Sequence, residues 1–328
     1  NNGFISGVKG ILLATGSNIQ TFTNKGTLQG SEAGVETGGT IDNFTNSGLI
    51  KSPSSGKWNN GIWMNGTSRI KTFTNKGTIE GGSGIVVSQN ATVENLTNTG
   101  TIKSKGNIEP NLLISYSSGI SFREDTLVKT FTNTGLISAN ISGIILGRAT
   151  IDNFNNTGTI ESTSNHERAA AVSLLSVASR PSYIKTFTNE GVLKSNSQGI
   201  ITEAGNKIDT IINKGTIEAG LNGISFFTLY DGSSGAKVDL GNIILEKGSS
   251  IKAGNNGINI DGTSNKPIIV SGSIEVKKGA SVSGNNAGIV IGSGKEVSAQ
   301  ITVEGSVTGG AAGIVNEGTI GSSSSSEG

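Results

Sequence analysis

Apolar residues in this chain never sustain a helical spacing; they come in short β-branched or aromatic bursts bounded by Gly, Asn, Ser and Thr. That pattern predicts strands separated by tight turns. One burst, Ile70-Lys71-Thr72-Phe73-Thr74-Asn75-Lys76-Gly77-Thr78-Ile79, recurs along the chain, with copies starting at Ile19, Ile41, Ile70, Val93, Val128, Ile151, Ile184 and Ile208. The aromatic slot reads Phe22, Phe44, Phe73, Leu96, Phe131, Phe154, Phe187 and Ile211. The next slot is Asn24, Asn46, Asn75, Asn98, Asn133, Asn156, Asn189 and Asn213, without exception. A glycine follows two residues later and an aliphatic residue two beyond it. A second signal, glycine or once alanine before an aliphatic, closes each unit, as at Gly84-Ile85 and Ala171-Val172.

Copies recur every 22 to 35 residues, and each unit holds about three strands. Such a unit is too small to bury its own apolar face, so it must stack on its neighbours. The expected fold is therefore all-β: a parallel β-helix of eleven to twelve coils, each strand pairing with its counterpart about 4.8 Å above and below. In that geometry the Asn column becomes a side-chain amide ladder and the Phe column an interior aromatic stack. A tight turn after the asparagine calls for left-handed backbone at the Asn and at its following glycine. Two residues between the Ile and Phe slots break the alternation of two, which places a bend there with both residues facing solvent. The first of them reads Gln20, Asp42, Lys71, Glu94, Lys129, Asp152, Lys185 and Asp209, alternating in sign from the second coil onward. Neighbouring rungs thus attract weakly.

A solenoid grows without a second core, so residues 1–321 form one β-helical domain. Within it, residues 1–18 are a partial first coil, 19–225 the regular coils and 226–321 looser coils in which the Phe and Asn columns stop. Residues 322–328 are a Ser-rich disordered end or linker. The spacing from turn glycine to the glycine-aliphatic step is 7 or 8 residues in most coils. It stretches to 13, 19 and 13 residues in the second, fourth and sixth coils. Extra residues therefore emerge at one corner in alternate coils, and a further extension follows the sixth coil through Arg180-Pro181-Ser182-Tyr183.

Composition narrows the chemistry. A net charge of +1, with acids and bases interspersed, gives no field for nucleic acid. The absence of cysteine excludes a thiolate site, and a single histidine, His166, excludes a His cluster, so no metal or cofactor is expected. Asp231-Gly232-Ser233-Ser234-Gly235 reads as a turn rather than a nucleophile motif. Asp42, Asp152 and Asp209 share a column but are separated by lysines or Glu94, which favours a salt-bridge ladder over an acid cluster. Loops on a rigid scaffold are where binding residues concentrate, and aromatic and Arg residues are the usual anchors. The candidate binding residues are accordingly Trp58, Trp63, Tyr116, His166 and Arg168 at the insertion corner. The competing reading is that these loops fold back onto the sheet as small caps.

The recurring Phe-Thr-Asn-x-Gly-Thr-Ile with its Gly-Ile steps resembles the passenger domain of bacterial autotransporters, the type V secreted surface proteins, including vacuolating-cytotoxin-like members. The resemblance spans nearly the whole chain. It implies that the parallel β-helix is right-handed and that the chain is an excised piece of a longer surface protein, extracellular or on the bacterial cell surface, that meets the membrane only through a C-terminal barrel absent from this sequence. The function it implies is a non-enzymatic adhesin or host-interaction rod. Its partners would be a host-cell protein or glycan, or copies of itself between cells. An oligomerising toxin passenger is the alternative, and a polysaccharide-active β-helix enzyme the third.

Overall fold

In the structure, a computed structural model, residues 1–53, 56, 58–106, 117–175, 180–203, 205–227, 238–261, 268–298 and 300–321 are described. They form no helix, and every inter-strand pairing among them is parallel. The architecture is the parallel β-helix expected from the sequence. Three faces run the length of the stack. The first carries the Asn motif, in strands such as Thr40–Asn46, Arg69–Asn75 and Thr92–Asn98. The second carries the aliphatic slot, as in Thr78–Gly81 and Thr101–Ser104, and the third the Gly-Ile step, as in Ser83–Val87. The second face has twelve rungs in unbroken pairing, a stack about 50 Å long.

Register is set slot on slot: Ile41, Ile70, Val93 and Val128 align, as do Phe44, Phe73, Leu96 and Phe131. Pairing skips Lys71 and Glu94, the bend expected between the Ile and Phe slots. From Ile41 and Phe44 to Ile208 and Ile211 the aliphatic and aromatic slots are buried, while Ile19 and Phe22 of the first copy are half-buried and Lys71 is exposed. Phe22, Phe44 and Phe73 stack nearly parallel, with centroids 4.6 and 4.7 Å apart. Leu96 interrupts the column, and above it Phe131, Phe154 and Phe187 meet edge to face at 4.8 and 4.5 Å. A missing ring leaves room for the neighbours to tilt, and both geometries are favourable for aromatic pairs.

The amide ladder is continuous. From Asn24 to Asn213 each side chain but the last donates Nδ2 to the Oδ1 of the next at 2.8 Å, and all eight are 0% exposed. Asn1 extends it by one rung, donating to Asn24 Oδ1 at 2.9 Å. Each amide also reaches the glycine carbonyl of its own turn, as Asn75 does to Gly77 at 3.2 Å. The left-handed backbone expected at these asparagines and glycines is absent: the positive φ values fall elsewhere. Steric closeness accounts for the glycines instead. A Cβ on Gly77 would stand 2.0 Å from the carbonyl oxygen of Gly48, and one on Gly100 2.1 Å from that of Gly77. Successive turns lie so tightly upon one another that only hydrogen fits.

Beyond Asn213 the ladder position is taken by Leu245 and then Val276, both in the core, and the aromatic position by Ile243 and Ile274. The first face also divides here, since Val238–Leu245 pairs with both Ile268–Val270 and Ile274–Val276. The strand Ile268–Val270 opens the tenth coil. Of the alternating charged column, Lys129 and Glu94 form an ion pair at 3.8 Å, whereas Asp209 is held by Lys207 and the Tyr183 hydroxyl. Residues 322–328 lie outside the described residues.

Candidate functional site: the insertion corner

The three long insertions leave the helix at one corner, between second and third faces, because the flanking strands keep their register on either side. Thr101–Ser104 pairs in step with its neighbours below and above although 19 residues separate Gly100 from Gly119. Backbone hydrogen bonds tie the insertion bases to adjoining coils: Lys105 N to Gly81 O at 2.6 Å, Gly106 N to Gly82 O at 3.1 Å and Ile141 N to Ser117 O at 3.3 Å. Ser104 and Ser117 face each other across the fourth-coil base at 3.2 Å, both buried, and Lys105 pairs with Glu80 at 2.7 Å. The bases are thus as fixed as the sheets they interrupt.

The sixth-coil insertion folds back onto the helix. Asn196 Nδ2 donates to Thr163 O at 2.7 Å, and Gln198 Nε2 to Glu167 O at 3.0 Å. Arg168 turns inward and forms an ion pair with Glu203 of the next coil's third face; their side chains are 6% and 3% exposed. Arg168 is therefore not an accessible binding anchor, which corrects its place among the candidate residues. A buried charge is tolerated only when paired, and here it fastens the loop. His166 stays exposed, but its Nδ1 accepts the backbone N–H of Arg168 at 3.2 Å and helps shape the same turn.

The two tryptophans take different places. Trp58 stands in the second-coil insertion, 59% exposed. Trp63 belongs to the third-face strand Asn60–Met64, in register with Glu36 and Val86, and its indole N–H donates to Ser88 Oγ at 3.3 Å. The corner therefore offers Trp58, His166 and Glu167 to solvent, while Trp63 is half-buried against the sheet. Tyr116 and the segment Leu112-Leu113-Ile114 lie outside the described residues, as does Asp231-Gly232-Ser233-Ser234-Gly235.

From the third coil to the eighth the outer side of the third face is covered. Strands Ser83–Val87, Ala170–Leu175 and Gln198–Glu203 are buried at every position, so residues that point away from the core, such as Val86, Ile145 and Ile201, are at most 6% exposed. First-face strands instead alternate buried with exposed. Sequence reasoning missed this covering and the partners Glu203, Gln198 and Asn196, because nothing in the repeat marks which outward positions a loop will meet. Asn1 was legible: Asn1-Asn2-Gly3-Phe4-Ile5 has the same Asn-x-Gly-x-aliphatic spacing as every later rung.

Among the described residues, no group of three His, Cys, Asp or Glu side chains is placed to hold a metal ion. No family model, curated protein or solved structure matches the chain.

Proposed function

We propose that the chain is an extracellular binding rod, an adhesin of the autotransporter-passenger type, which displays insertions from alternate coils along one corner of a rigid solenoid. The observation that carries this reading is the contrast at that corner. The insertion bases are fixed in the ladder of the helix, while Trp58 and His166 reach solvent. A scaffold whose coils stack in register needs no such insertions for stability, because coils with 7- or 8-residue spacing stack equally well. Residues held on a rigid frame lose little entropy on binding. The ligand class is a host-cell surface protein or glycan.

The test is binding of the chain to cultured host cells. A companion version has the second- and fourth-coil insertions shortened to eight-residue spacing, with the Arg168–Glu203 ion pair left intact. Loss of cell binding with unchanged β circular dichroism is the expected result. Equal binding by both versions, or none by the intact chain, would overturn the assignment of this corner as the adhesive site.

A further inference from the structure

The opposite corner, where the third face turns back into the first, carries a second feature. In several coils this turn is made by a glycine with left-handed backbone: Gly16 (φ 85°), Gly66 (56°), Gly205 (86°) and Gly294 (68°). At the ends of the fourth and fifth coils the same conformation is adopted by charged residues, Glu124 (54°), Asp125 (66°) and Arg148 (61°). A side chain in that region costs about 1–2 kcal/mol over glycine. Such strain persists where the side chain has a use, and it accumulates at ligand clamps.

The side chains of Asp125 and Arg148 meet. Asp125 Oδ2 accepts from Arg148 Nη2 at 3.5 Å and from Arg180 Nη1 at 3.1 Å, so one carboxylate oxygen brings two guanidinium groups together. Arg180 ends the extension after the sixth coil and is 70% exposed; Arg148 is 29% exposed, with its Nε buried and unpartnered. The support beneath is firm. Arg148 N donates to Ser182 Oγ at 2.9 Å, and Ser182 N donates to Asn206 Oδ1 at 2.7 Å. Arg123, two residues before Asp125, donates Nε to Ser121 on the outer side of the third face. The chain has five arginines against twenty lysines, and two of the five, Arg148 and Arg180, meet at this corner.

We propose that this corner binds the carboxylate or sulfate of an acidic saccharide. Arginine, unlike lysine, presents a planar fork that grips such an oxyanion through two donors. Asp125 uses one donor of Arg148 and one of Arg180, which leaves further N–H groups of the exposed Arg180 for a ligand. Arg148 and Arg180 against Asp125 leave a local charge of one positive unit, suited to a single anionic group, with Glu124 exposed beside them. A continuous phosphate backbone would meet both carboxylates. The exposed Glu124 carboxylate is able to accept hydroxyl groups, so the mixed set suits a polyol bearing one negative charge. The site is on a different corner from the insertions and does not depend on their role.

The experiment titrates the whole chain with sialyllactose and with lactose sulfate, using neutral lactose and inorganic sulfate as controls, by calorimetry or NMR shift mapping. The expected result is that at least one acidic saccharide binds about tenfold or more tighter than lactose and than free sulfate. Arg148→Gln and Arg180→Gln should each lower that affinity by about tenfold, the loss of one charge-assisted hydrogen bond. Lys71→Gln, on the first face, should leave it unchanged. Asp125→Asn separates a ligand site from an internal brace: removing the competing carboxylate raises affinity if the arginines serve a ligand. The proposal is overturned if acidic and neutral sugars bind alike or not at all. It is also overturned if the arginine variants, with wild-type circular dichroism, bind undiminished, or if a DNA duplex or anionic vesicles displace the sugar at lower concentration.

Discussion

Removing a single rung from the amide ladder should cost more inside the ladder than at its C-terminal end, because the ladder has a direction. Asn75 accepts from Asn46 and donates to Asn98 Oδ1, to Gly77 O and to Thr101 O, at 2.8, 2.8, 3.2 and 3.3 Å. In Asn75→Leu the Asn46 amide keeps its two backbone acceptors, Gly48 O and Thr78 O. Asn98 Oδ1 loses the Asn75 amide inside a fully buried column. An unsatisfied buried acceptor costs about 1–3 kcal/mol, and the net loss of the ladder bond adds about 1 kcal/mol, so the total is about 2–4 kcal/mol. Asn213→Leu removes the last rung. Asn189 Nδ2 keeps Gly191 O and Thr216 O, and the residue above Asn213 is already Leu245, so no side-chain acceptor is orphaned. The expected cost is about 1 kcal/mol, the bond term alone. Solenoids unfold regionally, so the measurement is native-state hydrogen exchange of the coils flanking each substitution, supported by denaturant melts. Equal costs at the two positions, or no cost at Asn75, would refute the directional ladder.

Gly100→Ala should disrupt the fourth coil, because its Cβ would lie 2.1 Å from Gly77 O, while Gly66→Ala meets no atom within 4 Å and costs only left-handed strain of about 1–2 kcal/mol; thermal melts rank the two. Glu203→Leu should destabilise the sixth-coil loop by about 3–5 kcal/mol by leaving Arg168 buried and unpaired, and the double change with Arg168→Met should recover most of that, read by protease cleavage near Glu167. The hydrogen bond from Tyr183 to Asp209, then burial and the negative charges of Asp209 and Asp152, push the phenol up to about 12, so ultraviolet titration should show one late-ionising tyrosine that Asp209→Asn brings back toward its ordinary value of 10.0. The sign follows: the contact's contribution to stability is fully present below the unfolded value and is lost as pH rises through about 12. Lys129→Asp should change stability by less than about 1 kcal/mol, since its pairing with Glu94 is solvent-exposed.

The fold was legible because a solenoid writes its contacts into its period. Asn46, Asn75 and Asn98 recur at one slot of the motif, and that slot is where they stack. The bend at Lys71 and the placement of the insertions at one corner followed from counting residues between fixed slots. The reason for the glycines did not follow. Gly77 excludes a side chain by the nearness of Gly48, a relation between coils, whereas sequence reasoning about Asn-x-Gly invokes local backbone preference. The same limit explains Arg168, which reads as a surface anchor because its partner Glu203 is 35 residues away and outside any repeated slot. The arginine corner was equally hidden: Asp125, Arg148 and Arg180 occupy turns of different length, which no alignment of the repeat brings together.

The two halves of the stack solve one packing problem in different ways, and the difference sets where variation is tolerated. From Asn1 to Asn213 the ladder slot is polar, and each rung needs an asparagine on the next to satisfy its amide. Polar rungs of this kind fix register, since a coil slipped by one residue would set an amide opposite a side chain on the other face of the strand, such as Thr97 or Thr99, and break the buried chain of hydrogen bonds. That specificity accompanies the longest insertions and the charged corner turns, where a long loop could otherwise let strands slip. From Leu245 onward the slot is aliphatic, at Leu245 and Val276, and burial alone holds the rungs. The coils that carry the exposed insertion residues and the arginine cluster are thus the ones with the strictest register. Loops of variable chemistry are held there without the scaffold having to change.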